Sequence, residues 1–141
     1  MTYTLAEFNE AGAALCKYLP GMNIHTAICW VKAEQGENHN MLGVTYYVGG
    51  KQHLYKYATF DEGARAAVAI ILKSSLYAGI RASLKRNSIH DQLRAIALSP
   101  WHTGKGGTID PYYGPLFKQW GYNVYSVKES DEEPISQEAE V

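Results

Sequence analysis

A chain of 141 residues with 46% hydrophobic and 19% charged side chains is long enough to bury one core without disulfides, and its composition excludes fibrous and wholly disordered classes. The net charge of −1 hides an asymmetry: residues 128–141 hold six acids and one lysine, a balance of −5, which leaves +4 on residues 1–127. So mildly basic a body suits an anionic polymer, but it lacks the Lys/Arg stripe of a nucleic-acid binder, and no nucleic-acid partner is expected.

The N-terminal residues have no basic region followed by an apolar run, so no signal peptide is expected and synthesis in a cytoplasm is implied. Thr4 and Glu7 make a capping-box pattern, continued by Leu5, Phe8, Ala11, Leu15 and Tyr18 as an amphipathic helix that stops before Pro20-Gly21. Ile24, Ala27, Ile28 and Val31 predict a second helix with Glu34 in its last turn and Gly36 as a left-handed stop. A carboxylate there faces the negative pole of the helix, among Trp30, Val31 and Ala33. Both effects disfavour its ionised form, as a general acid requires. Asn38, His39 and Asn40 in the next loop suit either capping of the loop backbone or holding of a sugar amide.

Residues 44–57 predict a hairpin about Gly49-Gly50. Strand alternation forbids Tyr46, Tyr47, Tyr55 and Tyr57 all being core, and one pair is expected to face a cleft, with Tyr57 foremost. Thr59 and Glu62 open a helix through Ala64, Ala67, Val68, Ile71 and Leu72, whose alanine-rich character predicts the central buried helix. Its longest apolar run, residues 66–72, is too short to span a bilayer, and no membrane insertion is expected. A shorter helix carries Ile80 and Leu84. Ser88 and Asp91 open another, ended by Pro100. The glycine-rich loop after it lacks the preceding strand and the spacing of a nucleotide loop. Asp110 is expected to cap a last helix with Pro111 or Pro115 in its first turn, ending at Trp120-Gly121. The acidic tail has no apolar periodicity and is expected to be disordered, giving a domain over 1–127 and a tail over 128–141.

Cys16 and Cys29 fall inside predicted helices without metal or redox spacing and are expected to be buried free thiols. His25, His39, His53, His90 and His102 form no ligand pair at helical spacing, so neither a metal nor another cofactor is expected.

Five segments in order carry a resemblance: Glu34; residues 40–44 ending Leu42-Gly43-Val44; residues 57–63 beginning at Tyr57; residues 99–103 with Trp101 and Thr103; and residues 110–113 from Asp110 to Tyr113. Over roughly residues 22–122 they resemble the glucosaminidase branch of the lysozyme-like superfamily. The resemblance implies a mainly α (α+β lysozyme-like) fold, about six helices around a buried central helix with one small β-hairpin beside the catalytic helix. It implies cleavage of peptidoglycan glycan strands, with Glu34 as general acid and Asn40, Tyr46, Tyr57, Trp101, Thr103 and Tyr113 holding the sugars. A six-residue insertion, 104–109, leaves Thr103 and Thr108 both open as the family's threonine. Some relatives carry a second acid in the hairpin. None lies between Val44 and Thr59 here, leaving Glu37, Asp61, Glu62 and Asp110. Hydrolysis assisted by the substrate's N-acetyl group and lytic transglycosylation both avoid that need. Small forms of this kind resemble bacteriophage lysins and tail-associated lysozymes, whose partners include other virion proteins and which reach the wall with the virion or at lysis. A non-catalytic module that keeps the cleft is the rival expectation.

Overall fold

The computed structural model describes residues 3–101, 108–109 and 111–125. In chain order they form α1 (Leu5–Tyr18), α2 (Ile24–Glu34), the strands β1 (Thr45–Val48) and β2 (Lys51–Leu54), α3 (Phe60–Lys73), a 3-10 turn at Ser75–Tyr77, α4 (Ala78–Ser83), α5 (Ile89–Leu98) and α6 (Tyr113–Gln119). The architecture is mainly α, with one two-stranded antiparallel sheet.

Local chemistry fixes most helix starts. The Thr4 hydroxyl accepts from the Glu7 amide while the Glu7 carboxylate accepts from the Thr4 amide, so two unpaired donors of α1 are satisfied at once. Thr59 and Ser88 accept from the Glu62 and Asp91 amides in the same way. Asn23 caps α2 through the His25 amide. At α6, Tyr112 gives no side-chain cap, and Pro115 sits in the first turn, where its missing N–H leaves no bond unmade.

The central helix is α2, not α3. It packs against α1, α5 and α6, burying Thr26, Ala27, Cys29, Trp30, Val31 and Ala33. Trp30 is wholly enclosed; a side chain of that kind contributes about 1.5–3 kcal/mol on burial. Helix α3 buries only the stripe Phe60, Gly63, Ala64, Ala67, Val68 and Ile71. Ile70 and Leu72, on its other side, stay 36% and 50% exposed. Its small residues allow a close approach to α1 and to the loop after α2, which makes it a flanking helix. Among the described residues no single helix is long and apolar enough to cross a membrane.

The hairpin turns through Gly49 and Gly50, both at positive φ, as a two-residue turn between twisted strands requires. Its register pairs Thr45 with Leu54, Tyr46 with His53, Tyr47 with Gln52 and Val48 with Lys51.

Candidate active site

Glu34 is the last residue of α2. The left-handed stop expected at Gly36 falls instead on Gln35, at φ 45° and ψ 46°. Gly36 serves another need: a Cβ there would lie 1.9 Å from the Asn40 carbonyl oxygen, so the loop can fold back on itself only over a glycine. Asn38 and His39 are also left-handed, at φ 55° and 60°. Three non-glycine residues in that region within five positions make this the most strained backbone among the described residues, and such strain concentrates at functional sites.

The loop is held from several sides. The Tyr3 hydroxyl donates to the Gly36 carbonyl. The Tyr57 amide donates to the Asn38 carbonyl at 2.9 Å, and His39 Nδ1 lies 3.0 Å from the Tyr57 carbonyl oxygen. The His39 ring meets Phe60 edge-on at 4.7 Å. Asn40 is buried, and its amide is spent on backbone: Nδ2 donates to the Val44 carbonyl at 2.8 Å and the Tyr55 carbonyl at 3.0 Å, and Oδ1 accepts from the Val44 amide at 2.8 Å. Of its two expected roles, capping the backbone is the one these contacts perform.

The carboxylate meets the chain from the other end of the sequence. Tyr113, fully buried at the start of α6, donates its hydroxyl to Glu34 Oε2. Trp30 Nε1 donates to the same hydroxyl at 3.3 Å. An indole only donates, so the phenol oxygen accepts from Trp30 and directs its own proton at the carboxylate. The Tyr113 ring stacks on Phe117 at 5.2 Å, and the neighbouring Tyr112 hydroxyl donates to the Ala33 carbonyl at 3.0 Å. Tyr113 therefore positions Glu34 from inside the core, whereas the resemblance implies that it holds the sugars. On the other side is Gly43, at φ +70°, where an added Cβ would stand 4.0 Å from Glu34 Oε1.

Trp101 is half-buried. Its Nε1 donates to the Leu42 carbonyl at 2.8 Å, and its ring packs edge-on against Trp30 at 5.6 Å and Tyr77 at 5.2 Å. It thus pins the segment carrying Gly43 beside the helix carrying Glu34. Thr103 and Asp110 lie outside the described residues; Thr108 is exposed.

One face of the hairpin is an aromatic ladder. Tyr46 stacks on His53 at 5.3 Å and packs on Tyr55 at 4.5 Å, and Tyr55 stacks on Tyr57 at 5.9 Å. Tyr46 and Tyr55 keep 37% and 42% of their surface exposed. Tyr47 projects from the opposite face, and none of the four tyrosines is core. His53 belongs to this ladder, although from the sequence it is considered only for a metal, and none is expected there. The signal was present: a two-residue glycine turn puts His53 across from Tyr46, two residues from Tyr55. Tyr57 also lines a cleft of about 420 Å³ with Tyr3, Glu37, Asn38, His39 and Lys56.

Of the remaining acids, Asp61 binds Lys17 at 2.9 Å, the Tyr18 hydroxyl at 2.7 Å and Arg65 at 3.3 Å. Glu62 caps α3 through the Ala58 amide. Both are occupied at the start of α3, whereas Glu37 lines the cleft beside Tyr57. Cys16 and Cys29 are buried and free, and burial pushes their thiols up to about 12 and about 11. Among the described residues no group of three or more His, Cys, Asp or Glu side chains could hold a metal ion.

Comparisons with protein-family models, with curated proteins and with solved structures found no match to this chain.

Proposed function

We propose that the chain cleaves the glycan strands of peptidoglycan with Glu34 as general acid. The observation that carries this reading is the setting of one carboxylate: it ends a buried helix, accepts a hydrogen bond from a core tyrosine on Oε2, and has a side-chain-free glycine opposite Oε1. With the phenol on Oε2, the transferable proton is assigned to Oε1, the oxygen on whose side Gly43 carries no side chain. On proton transfer the bond between the anomeric carbon and that oxygen breaks, and positive charge grows on the sugar. The ladder of Tyr46, His53, Tyr55 and Tyr57 offers ring faces on which sugars stack.

Within this proposal the nucleophile comes from the substrate itself, with Glu37 and Asp110 the acids left as its rivals. No carboxylate lies between Val44 and Thr59, and Asp61 and Glu62 are bound into the start of α3. This favours attack by the substrate N-acetyl oxygen, giving hydrolysis once water opens the intermediate, or by a sugar hydroxyl, giving the anhydro end of a lytic transglycosylase. Delivery as a phage lysin or virion component, with other virion proteins as partners, belongs to the same proposal.

The test is mass spectrometry of fragments released from purified peptidoglycan by wild type and by Glu34→Gln. Wild type should release glycan fragments and the variant none. Reducing N-acetylglucosamine ends identify a glucosaminidase, reducing N-acetylmuramic acid ends a muramidase, and anhydro ends a transglycosylase. If folded wild type frees nothing from several wall types, the enzyme reading fails and the cleft is that of a binding module. Equal release by both proteins would remove Glu34 from the centre of the reaction.

A further inference from the structure

Helices α4 and α5 pack side by side, and a groove of about 570 Å³ runs between them. Leu76, Ile80, Leu98 and Pro100 give it apolar walls, and Arg86 and Arg94 line it as well. Leu76 stays 65% exposed beside it. Over residues 78–98 there are four cations, Arg81, Lys85, Arg86 and Arg94, against the single acid Asp91, which ion-pairs with Arg86 at 3.4 Å. The groove is therefore apolar within a positively charged surround.

The last described residues lead straight to it. Arg94 Nη1 donates to the Val124 carbonyl at 2.7 Å, so the chain reaches Tyr125 next to a side chain that lines the groove. The C-terminal segment has the complementary chemistry. Residues 128–141 hold six acids and one lysine, and Ile135, their largest apolar side chain, is flanked by Glu133 and Glu138. The ten residues from Tyr125 to Ile135 reach up to about 33 Å when extended, so tether length is no obstacle.

We propose that this acidic segment is the groove's occupant, with Ile135 filling the apolar part and the carboxylates around it meeting Arg86 and its neighbouring cations. Because the segment is tethered, it competes at an effective concentration in the millimolar range, so one apolar anchor and a few screened charges suffice. The charged part weakens with salt, since the screening length falls from about 10 Å at 0.1 M to about 3 Å at 1 M.

The experiment joins Ala82→Cys to Ser136→Cys in the full chain and follows disulfide formation in a glutathione buffer. Ala82 lines the groove and is exposed, so its replacement leaves the core intact, and the two native thiols are buried. The expected product is a disulfide within one chain, with an effective concentration at least about tenfold higher at low salt than in 1 M NaCl. Adding Ile135→Asp should lower it by a similar factor. A yield indifferent to both salt and Ile135→Asp overturns the proposal. So does a disulfide that joins two chains, which would give the groove to a second copy.

Discussion

Two residues frame the Glu34 carboxylate, and each predicts a different failure. Tyr113→Phe removes the donor to Oε2 and leaves the Trp30 indole without its acceptor while keeping the ring on Phe117. A hydrogen bond to a charged group is worth about 1.5–3 kcal/mol, and losing a donor to the anion favours the protonated form. The alkaline limb of the rate profile on peptidoglycan should therefore move to higher pH, with the plateau rate reduced as Glu34 loses its alignment. A plateau loss with an unmoved limb would assign Tyr113 a packing role alone. Gly43→Ala acts from the other side: at φ +70° an alanine costs about 1–3 kcal/mol of strain, and its methyl stands before Oε1. Turnover should fall more than the KM changes, as measured by initial rates over a range of wall concentration. Asn40→Ala is the contrasting case. It strands the Val44 amide and the Tyr55 carbonyl, while the Val44 carbonyl keeps the Tyr55 amide at 3.2 Å, and the urea midpoint should drop by the equivalent of about 2–4 kcal/mol.

At the scale of elements, the site depends on a loop squeezed between α2 and α3. A Cβ on Gly36 would come within 1.9 Å of the Asn40 carbonyl oxygen, and one on Gly63 within 2.0 Å of the His39 carbonyl oxygen. Neither obstacle is a flexible side chain, so Gly63→Ala must push α3 away from the loop. It should cost about 1–3 kcal/mol of stability, read by thermal denaturation, and lower activity as well, because the same loop carries Gly43 to Glu34. The elements that were legible in the sequence are those written in local chemistry. The capping patterns at Thr4, Thr59 and Ser88 give three helix starts, and the paired glycines give the hairpin with its register. What sequence left hidden was set by packing. Alanine in α3 suggests burial all round, but a small side chain suits a close-packed flank equally well. Nothing local distinguishes Tyr113, which enters the core, from Tyr112 beside it, which stays partly exposed. The Glu34–Tyr113 contact spans 79 residues, beyond the reach of any periodicity, and Asn40 looks alike in sequence whether its amide meets backbone or sugar.

Over the whole molecule, groups with displaced pKa values at its two extremes bound the pH range of full stability. Asp61 on α3 is held down to about 2 by the Lys17 ammonium, the Tyr18 hydroxyl and Arg65, tying α3 to α1. The native state thus binds this proton less readily than the unfolded chain, whose ordinary value is 3.8. The contribution is complete above about pH 4 and is lost as pH falls through about 2. Cys16 and Cys29 act in the opposite sense. Burial raises them from 9.0 to about 12 and about 11, so the native state holds protons that the unfolded chain has released, and their contribution is complete below about pH 9 and declines as pH rises through 11 to 12. On account of these three groups, urea midpoints should fall below about pH 4 and above about pH 9. The two limbs separate by mutation. Asp61→Asn, at a partly exposed position, should flatten this group's part of the acid limb while leaving the alkaline limb in place, since it touches neither thiol. If the acid limb kept its full slope in that variant, the junction of α1 and α3 would not be what acid undoes. In native protein below pH 9 both thiols should resist a disulfide reagent, and should react at the rate of global opening once urea is added.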